Sequence, residues 1–130
     1  LVQPMLSGSV EAMVGVTRDP LFGPLVAFGL GGIHVEILGD MQFRVAPLTD
    51  RDATDMVRTI KGYRLLTGYR GHPAADLKAI EDVLLRISHL AEAIPEITEL
   101  DLNPIFALPL GQGCQIVDAR IRIQPPRSTV

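Results

Sequence analysis

From Ala74 to Ile94 the apolar residues Leu77, Ile80, Leu84, Ile87 and Leu90 recur at steps of three or four. Steps of that size keep side chains on one face of a helix, so the stretch predicts a long amphipathic helix with one buried side, stopped by Pro95. Beyond it the period changes to two. The segments "ITELDLNPIFAL" (97–108) and "CQIVDARIRI" (114–123) alternate apolar and polar positions around Gly111-Gln112-Gly113, which predicts an antiparallel hairpin. Upstream, "VEAMVGVTRDP" (10–20) is rich in β-branched and apolar residues and closes on Asp19-Pro20, as a strand entering a turn does. "PLVAFGLGGIHVEILGD" (24–40) reads as two short strands, near 25–28 and 33–38, joined by a corner at Gly29, Gly31 and Gly32. "QFRVAPL" (42–48) alternates like a half-buried strand. Asp50 or Asp52 can cap a helix running to about Ile60, and "KGYRLLTGYRGHP" (61–73) holds too much glycine for a regular element.

These elements predict an α+β fold, a mainly antiparallel sheet packed against helices. The 130 residues are 47% hydrophobic, enough for one domain with a real core. With 12 Lys and Arg against 15 Asp and Glu, and the basic residues scattered, the chain lacks the basic stripe that nucleic acid requires. No apolar run approaches a membrane span. A single cysteine, Cys114, excludes an internal disulfide and a cysteine-based zinc site, and fits a reducing, cytoplasmic setting. The chain starts without methionine inside an apolar, strand-like stretch, Leu1 to Met5, which suggests a fragment of a longer protein. The tail from Gln124 to Val130 is expected to be loose.

The hairpin carries the chemistry. At period two, Glu99, Asp101 and Asn103 point to one side of the strand while Leu100 and Leu102 point to the core. Pairing about the 111–113 turn brings Asp118 near Asn103 and Asp101. Hard cations such as magnesium favour a few carboxylate or amide oxygens, and a bound cation would offset the repulsion between facing carboxylates. Pro104 has no N–H to give, so an edge or a bulge is expected there. A solvated strand face that discourages sheet-edge aggregation accounts for the same residues equally well.

Read in order, "VEAMVGVTRDPLFGPLVAFGLGGIHVEIL", "RVAPL", "LLTGYRG", "ELDLNPI" and "VDARI" resemble the carboxy-terminal half of the ATP-grasp domain in NDP-forming acyl-CoA synthetases, a family that includes the ADP-forming acetyl-CoA synthetases and is similar to the beta subunit of succinyl-CoA synthetase. The resemblance runs from about Gln3 to Ile123, which places the partial ATP-grasp domain at residues 1–123. It implies that Asn103 and Asp118 hold Mg2+ against ATP or ADP, with Asp101 as a further ligand or a supporting group. It implies that Gln3 and Met5, in "LVQPM", lie where backbone groups meet adenine, and that Glu11 contacts ribose hydroxyls. Gly31 and Gly32 can form a backbone nest for phosphate or an incoming phosphorylated loop, or simply a tight turn. Arg18 and Arg70 can neutralise phosphate, and an ion pair is an equal reading for Arg70.

The resemblance also implies the reaction of the whole enzyme. Acyl-CoA, ADP and phosphate would be converted reversibly into a carboxylic acid, CoA and ATP, through an acyl phosphate and a phosphohistidine. His34, His72 and His89 do not match the phosphorylated histidine, and Lys61 and Lys78 match no phosphate-binding lysine. The remaining ATP-grasp lobe and the CoA-binding and ligase domains are the implied partners, and the chain alone is expected to be inactive. Two other uses of such a region stay open: a ligand-binding or regulatory part of a fusion with a GNAT-type acetyltransferase, and a non-catalytic interaction domain that pairs through the hairpin edge.

Overall fold

Alternation in the first segment becomes a strand whose even positions are core. In the computed structural model, which describes residues 10–30, 40–68 and 73–124, Ala12, Val14 and Val16 of β1 (Val10–Asp19) are buried, and Glu11, Met13, Gly15 and Thr17 lie on the opposite side. The Asp19 carboxylate accepts the N–H groups of Leu21 and Phe22 at 2.8 and 3.0 Å, and Gly23, at φ 81°, takes the left-handed conformation that turns the chain into β2 (Gly23–Leu30). The expected second strand near 33–38, with Gly31, Gly32 and His34, lies outside the described residues, as do Gln3, Met5, Arg70, His72 and the tail from residue 125. Gln124 is tied down, its N–H donating to the Glu96 carbonyl at 2.8 Å.

The next strand, β3 (Met41–Val45), pairs with β2, while β4 (Ile97–Ala107) pairs with β1 on one side and with β5 (Cys114–Ile116) and β6 (Ala119–Ile123) on the other. The result is a six-stranded sheet in the order β3-β2-β1-β4-β5, with β6 continuing the β5 side, and every strand pair among the described residues is antiparallel. The expected α+β architecture, a mainly antiparallel sheet packed against helices, is what forms.

The described helices lie on one face of the sheet. Thr49, rather than Asp50 or Asp52, caps α1 (Asp50–Thr59): its side chain accepts the Asp52 N–H, and the Asp52 carboxylate accepts the Thr49 N–H at 2.9 Å. That backbone donor holds the Asp52 carboxyl below its usual range. The glycine-rich segment after it does contain one short helix, α2 (Tyr63–Leu66). Buried Asp40 supports the approach to α2 by accepting the N–H groups of Lys61 and Gly62 at 2.6 and 2.7 Å.

The long helix α3 (Leu77–Ala93) starts three residues later than its periodicity suggests, because Ala75 is drawn into a bridge with Pro109 and Asp76 becomes the cap. Ile80, Leu84 and Ile87 of α3 are buried over β1, β2 and β4, and removing Leu84 from water contributes about 2 kcal/mol. Ser88 shares that buried face without penalty, since its hydroxyl accepts the Leu48 N–H at 2.8 Å. No helix among the described residues is long and apolar enough to cross a membrane.

Candidate functional site

The opposite face of the sheet is covered by no described helix, and the pairing arranges its side chains in rows. One row runs Phe43, Ala27, Gly15, Asp101, Arg120 across β3, β2, β1, β4 and β6. The adjacent row runs Val45, Leu25, Thr17, Glu99, Arg122. Both rows pass from apolar side chains at the β3 edge, through small or uncharged ones, to opposite charges at the β6 edge, where Glu99 and Arg122 are close enough to pair. Gly15 leaves the floor beside Asp101 without a side chain, and a Cβ there would press to 3.2 Å on the Leu100 carbonyl.

Pro104 breaks this regularity. Ala12 faces Ile105 and Val14 faces Leu102, so Asn103 and Pro104 together stand opposite Met13. This is the expected bulge; the alternative expectation of an edge does not hold, because β4 is paired on both sides. The buried positions of β4 shift parity there, from Leu100 and Leu102 to Ile105 and Ala107. Across the hairpin, β5 and β6 are interrupted at Val117 and Asp118. The Asn103 N–H donates to the Asp118 carbonyl at 3.2 Å and the Val117 N–H to the Pro104 carbonyl at 3.1 Å, which fixes Asn103 opposite Asp118.

Both side chains are exposed, and Asp101 is half-buried one rung away. Neither the Asn103 amide nor the Asp101 carboxylate makes a side-chain hydrogen bond among the described residues. Among the described residues the Asp118 side chain meets Arg120, at 3.6 Å. An amide and a carboxylate on paired backbone positions, free of hydrogen bonds to other described side chains apart from the exposed Arg120 contact, suit a hard cation that keeps several waters or phosphate oxygens. Among the described residues no three His, Cys, Asp or Glu side chains converge, so the donor set depends on the asparagine.

Other expected residues are more dispersed. Glu11 lies on the same open face but opposite Phe106, farther along β4. Arg18 is placed otherwise than expected: its guanidinium donates to the carbonyls of Ile97, Ala91 and Ile94 at 2.6, 2.7 and 3.1 Å, at the carboxy-terminal end of α3. These donors close the helix end. His89 is exposed on α3, in the helix layer.

Arg120 and Arg122 were not singled out by the sequence reading. They stand opposite Asp101 and Glu99, with Arg122 3.7 Å from Glu99. The signal was the alternation of "ARIRI" once its register against β4 is set. Isoleucines 121 and 123 pair with Leu100 and Ile97 on the helix side of the sheet, yet remain exposed.

A family model described as an ATP-grasp domain matches residues 1–123, and the chain belongs to that family. It is 50% identical over 121 residues to acetate–CoA ligase (ADP-forming) I of Archaeoglobus fulgidus, covering 93% of this chain and 17% of that protein. It is 49% identical over 122 residues to the beta subunit of acetate–CoA ligase (ADP-forming) II of Pyrococcus furiosus, covering 93% of this chain and 52% of the subunit. The chain thus spans about half the length of the beta-subunit relatives it matches. Among solved structures it is similar to the dinucleotide-forming acetyl-coenzyme A synthetase 1 of Ca. Korarchaeum cryptofilum, described in complex with coenzyme A and Mg-AMPPCP with a phosphohistidine segment pointing towards the nucleotide binding site. The TM-score is 0.85 at 46% identity, over 95% of this chain and 55% of that one.

Proposed function

We propose that this chain is the carboxy-terminal, magnesium- and nucleotide-binding half of the ATP-grasp domain in an ADP-forming acyl-CoA synthetase. The observation that carries the reading is the pairing of Asn103 with Asp118 at the β4 bulge, on an open sheet face, in a chain half identical to ADP-forming acetate–CoA ligases. The complete cytoplasmic enzyme would convert acyl-CoA, ADP and phosphate into a carboxylic acid, CoA and ATP, using a phosphohistidine. Asn103 and Asp118, with Asp101 beside them, would hold Mg2+, and the ion would supply positive charge against the nucleotide phosphates.

The chain's own residues set the stage for that chemistry. The bulge lifts Asn103 out of the regular ladder, and the backbone bonds from the Asn103 N–H to the Asp118 carbonyl and from the Val117 N–H to the Pro104 carbonyl keep the two donors in register without using their side chains. Gly15 and Ala27 keep the middle of the face low, so a nucleotide can approach the carboxylates. Glu11, Gln3 and Met5 are the proposed contacts to ribose and adenine, and Gly31 and Gly32 a proposed loop or phosphate contact. The other ATP-grasp lobe and the CoA-binding and ligase domains would complete the site, so the 130 residues alone should not turn over.

Thermal stability should be followed while Mg2+ with ADP or ATP is added to this chain and to a version extended upstream by the other lobe. Ligand that binds only the folded state raises stability by mass action. The expected result is a rise in the extended protein that Asp118→Ala abolishes. No rise in either would overturn the reading and favour a scaffold role.

A further inference from the structure

We propose that Arg120 is an electrostatic placeholder: it neutralises Asp118 while the cation is absent, and turns to the nucleotide phosphates once the cation occupies that carboxylate. The inference rests on the assignment of Asn103 and Asp118 as the cation site.

The Nε of Arg120 lies 3.6 Å from Oδ2 of Asp118, and its register partner on β4 is Asp101. Its side chain is 81% exposed, so packing does not fix it and neighbouring charge decides where it points. A guanidinium and a divalent cation compete for the same carboxylate oxygen. When the cation engages Asp118 with Asp101 beside it, like charges separate, and the polyphosphate that the cation brings is the uncommitted group of opposite charge to which this long side chain can turn. Guanidinium suits phosphate because its planar fork of donors matches two oxygens. The same strand supplies a control. Arg122 pairs with Glu99 at 3.7 Å with similar exposure, but Glu99 is one rung farther from Asn103 and Asp118.

The roles of Arg120 before and after binding have opposite effects, and that is what the test reads. In the complete polypeptide that carries this chain, binding of Mn2+ alone is followed by its EPR signal, and binding of Mg2+-ADP by calorimetry, for the wild type, R120A, R120K and R122A. Removing the competitor in R120A should tighten Mn2+ alone about two- to fivefold, the scale of an exposed ion pair. Removing the phosphate donor should weaken Mg2+-ADP about tenfold. R120K should fall between, and R122A should stay within about twofold for both ligands. A merely structural arginine would shift both affinities the same way or neither, and either outcome overturns the proposal. If the wild type itself binds no Mg2+-ADP, the cation-site assignment fails, and the placeholder role with it.

Discussion

Gly113 donates its N–H to Oδ2 of Asp76 at 2.8 Å, while Oδ1 of the same carboxylate accepts the Ala79 N–H at 3.2 Å. One side chain therefore caps α3 and grips the turn of the β4–β5 hairpin. Leu110 and Asp76 add backbone bonds to the Ala74 and Leu108 carbonyls at 2.9 and 2.8 Å. The hairpin that presents Asn103 and Asp118 is thus clamped to the helix layer at its turn.

Asp76→Ala removes both acceptors and leaves the Gly113 N–H unpaired in a partly buried setting. The expected loss is about 2–4 kcal/mol, with Asp76→Asn losing roughly half as much because one oxygen remains. Urea denaturation of the two variants measures this. Equal stability of Asp76→Ala and wild type would mean that the other turn bonds suffice.

Arg18 closes the other end of α3. Arg18→Ala should lower stability by about 2–3 kcal/mol, since three carbonyls lose a charged donor, and Arg18→Lys should restore part of it. The same variant should leave the Mg2+-ADP affinity of the complete protein unchanged. A tenfold loss of nucleotide affinity at intact stability would instead return Arg18 to a phosphate-binding role.

These two side chains show where sequence patterning stops. The periods of two and of three to four placed β1, β3, α3 and the hairpin, and the alternation around Leu100 and Leu102 gave the correct faces for Glu99 and Asn103. Local pattern could not show that Arg18, 73 positions before Ala91, would cap α3, because the partner is a carbonyl whose position depends on tertiary packing. The start of α3 was misplaced for a related reason: Ala74 to Asp76 continue a helical pattern, yet contacts from the distant residues 108–113 draw them out of it. The parity change in β4 was visible only as a proline, and its consequence, two residues facing Met13, depends on β1. The arginines on the open face were hidden until the register was known.

Cys114 is half-buried, and burial, aided by the nearby Asp76 carboxylate, pushes its thiol up to about 11 from 9.0. The folded state therefore keeps a proton that the unfolded state loses. Any stability from this difference is fully present below pH 9, and is lost as pH rises from there through about 11. At pH 8 the thiolate fraction in the folded protein should be about 100-fold lower than in the unfolded chain, so alkylation by iodoacetamide should be correspondingly slow until denaturant is added. Equal rates with and without denaturant would show that Cys114 is more open to solvent than its burial indicates.

Asn103 and Asp118 differ from Asp76 and Arg18 in that their side chains make no hydrogen bond among the described residues, and Asp118 has only the exposed contact with Arg120. The bonds joining their segments run through the Asn103 N–H and the Asp118 carbonyl, which substitution leaves in place. Asn103→Ala and Asp118→Ala should therefore change stability by less than about 0.5 kcal/mol, as surface substitutions do. Under the proposed function the complete enzyme should nonetheless lose about 100-fold in acyl-CoA-dependent ATP formation, with saturating magnesium unable to restore it, because an oxygen donor to the ion is gone. Asp101→Asn keeps an oxygen beside the site and should lose less, about tenfold. Near-normal rates in both alanine variants would remove the hairpin from the phosphoryl-transfer site. A large fall in melting temperature would show that the side chains serve the sheet instead.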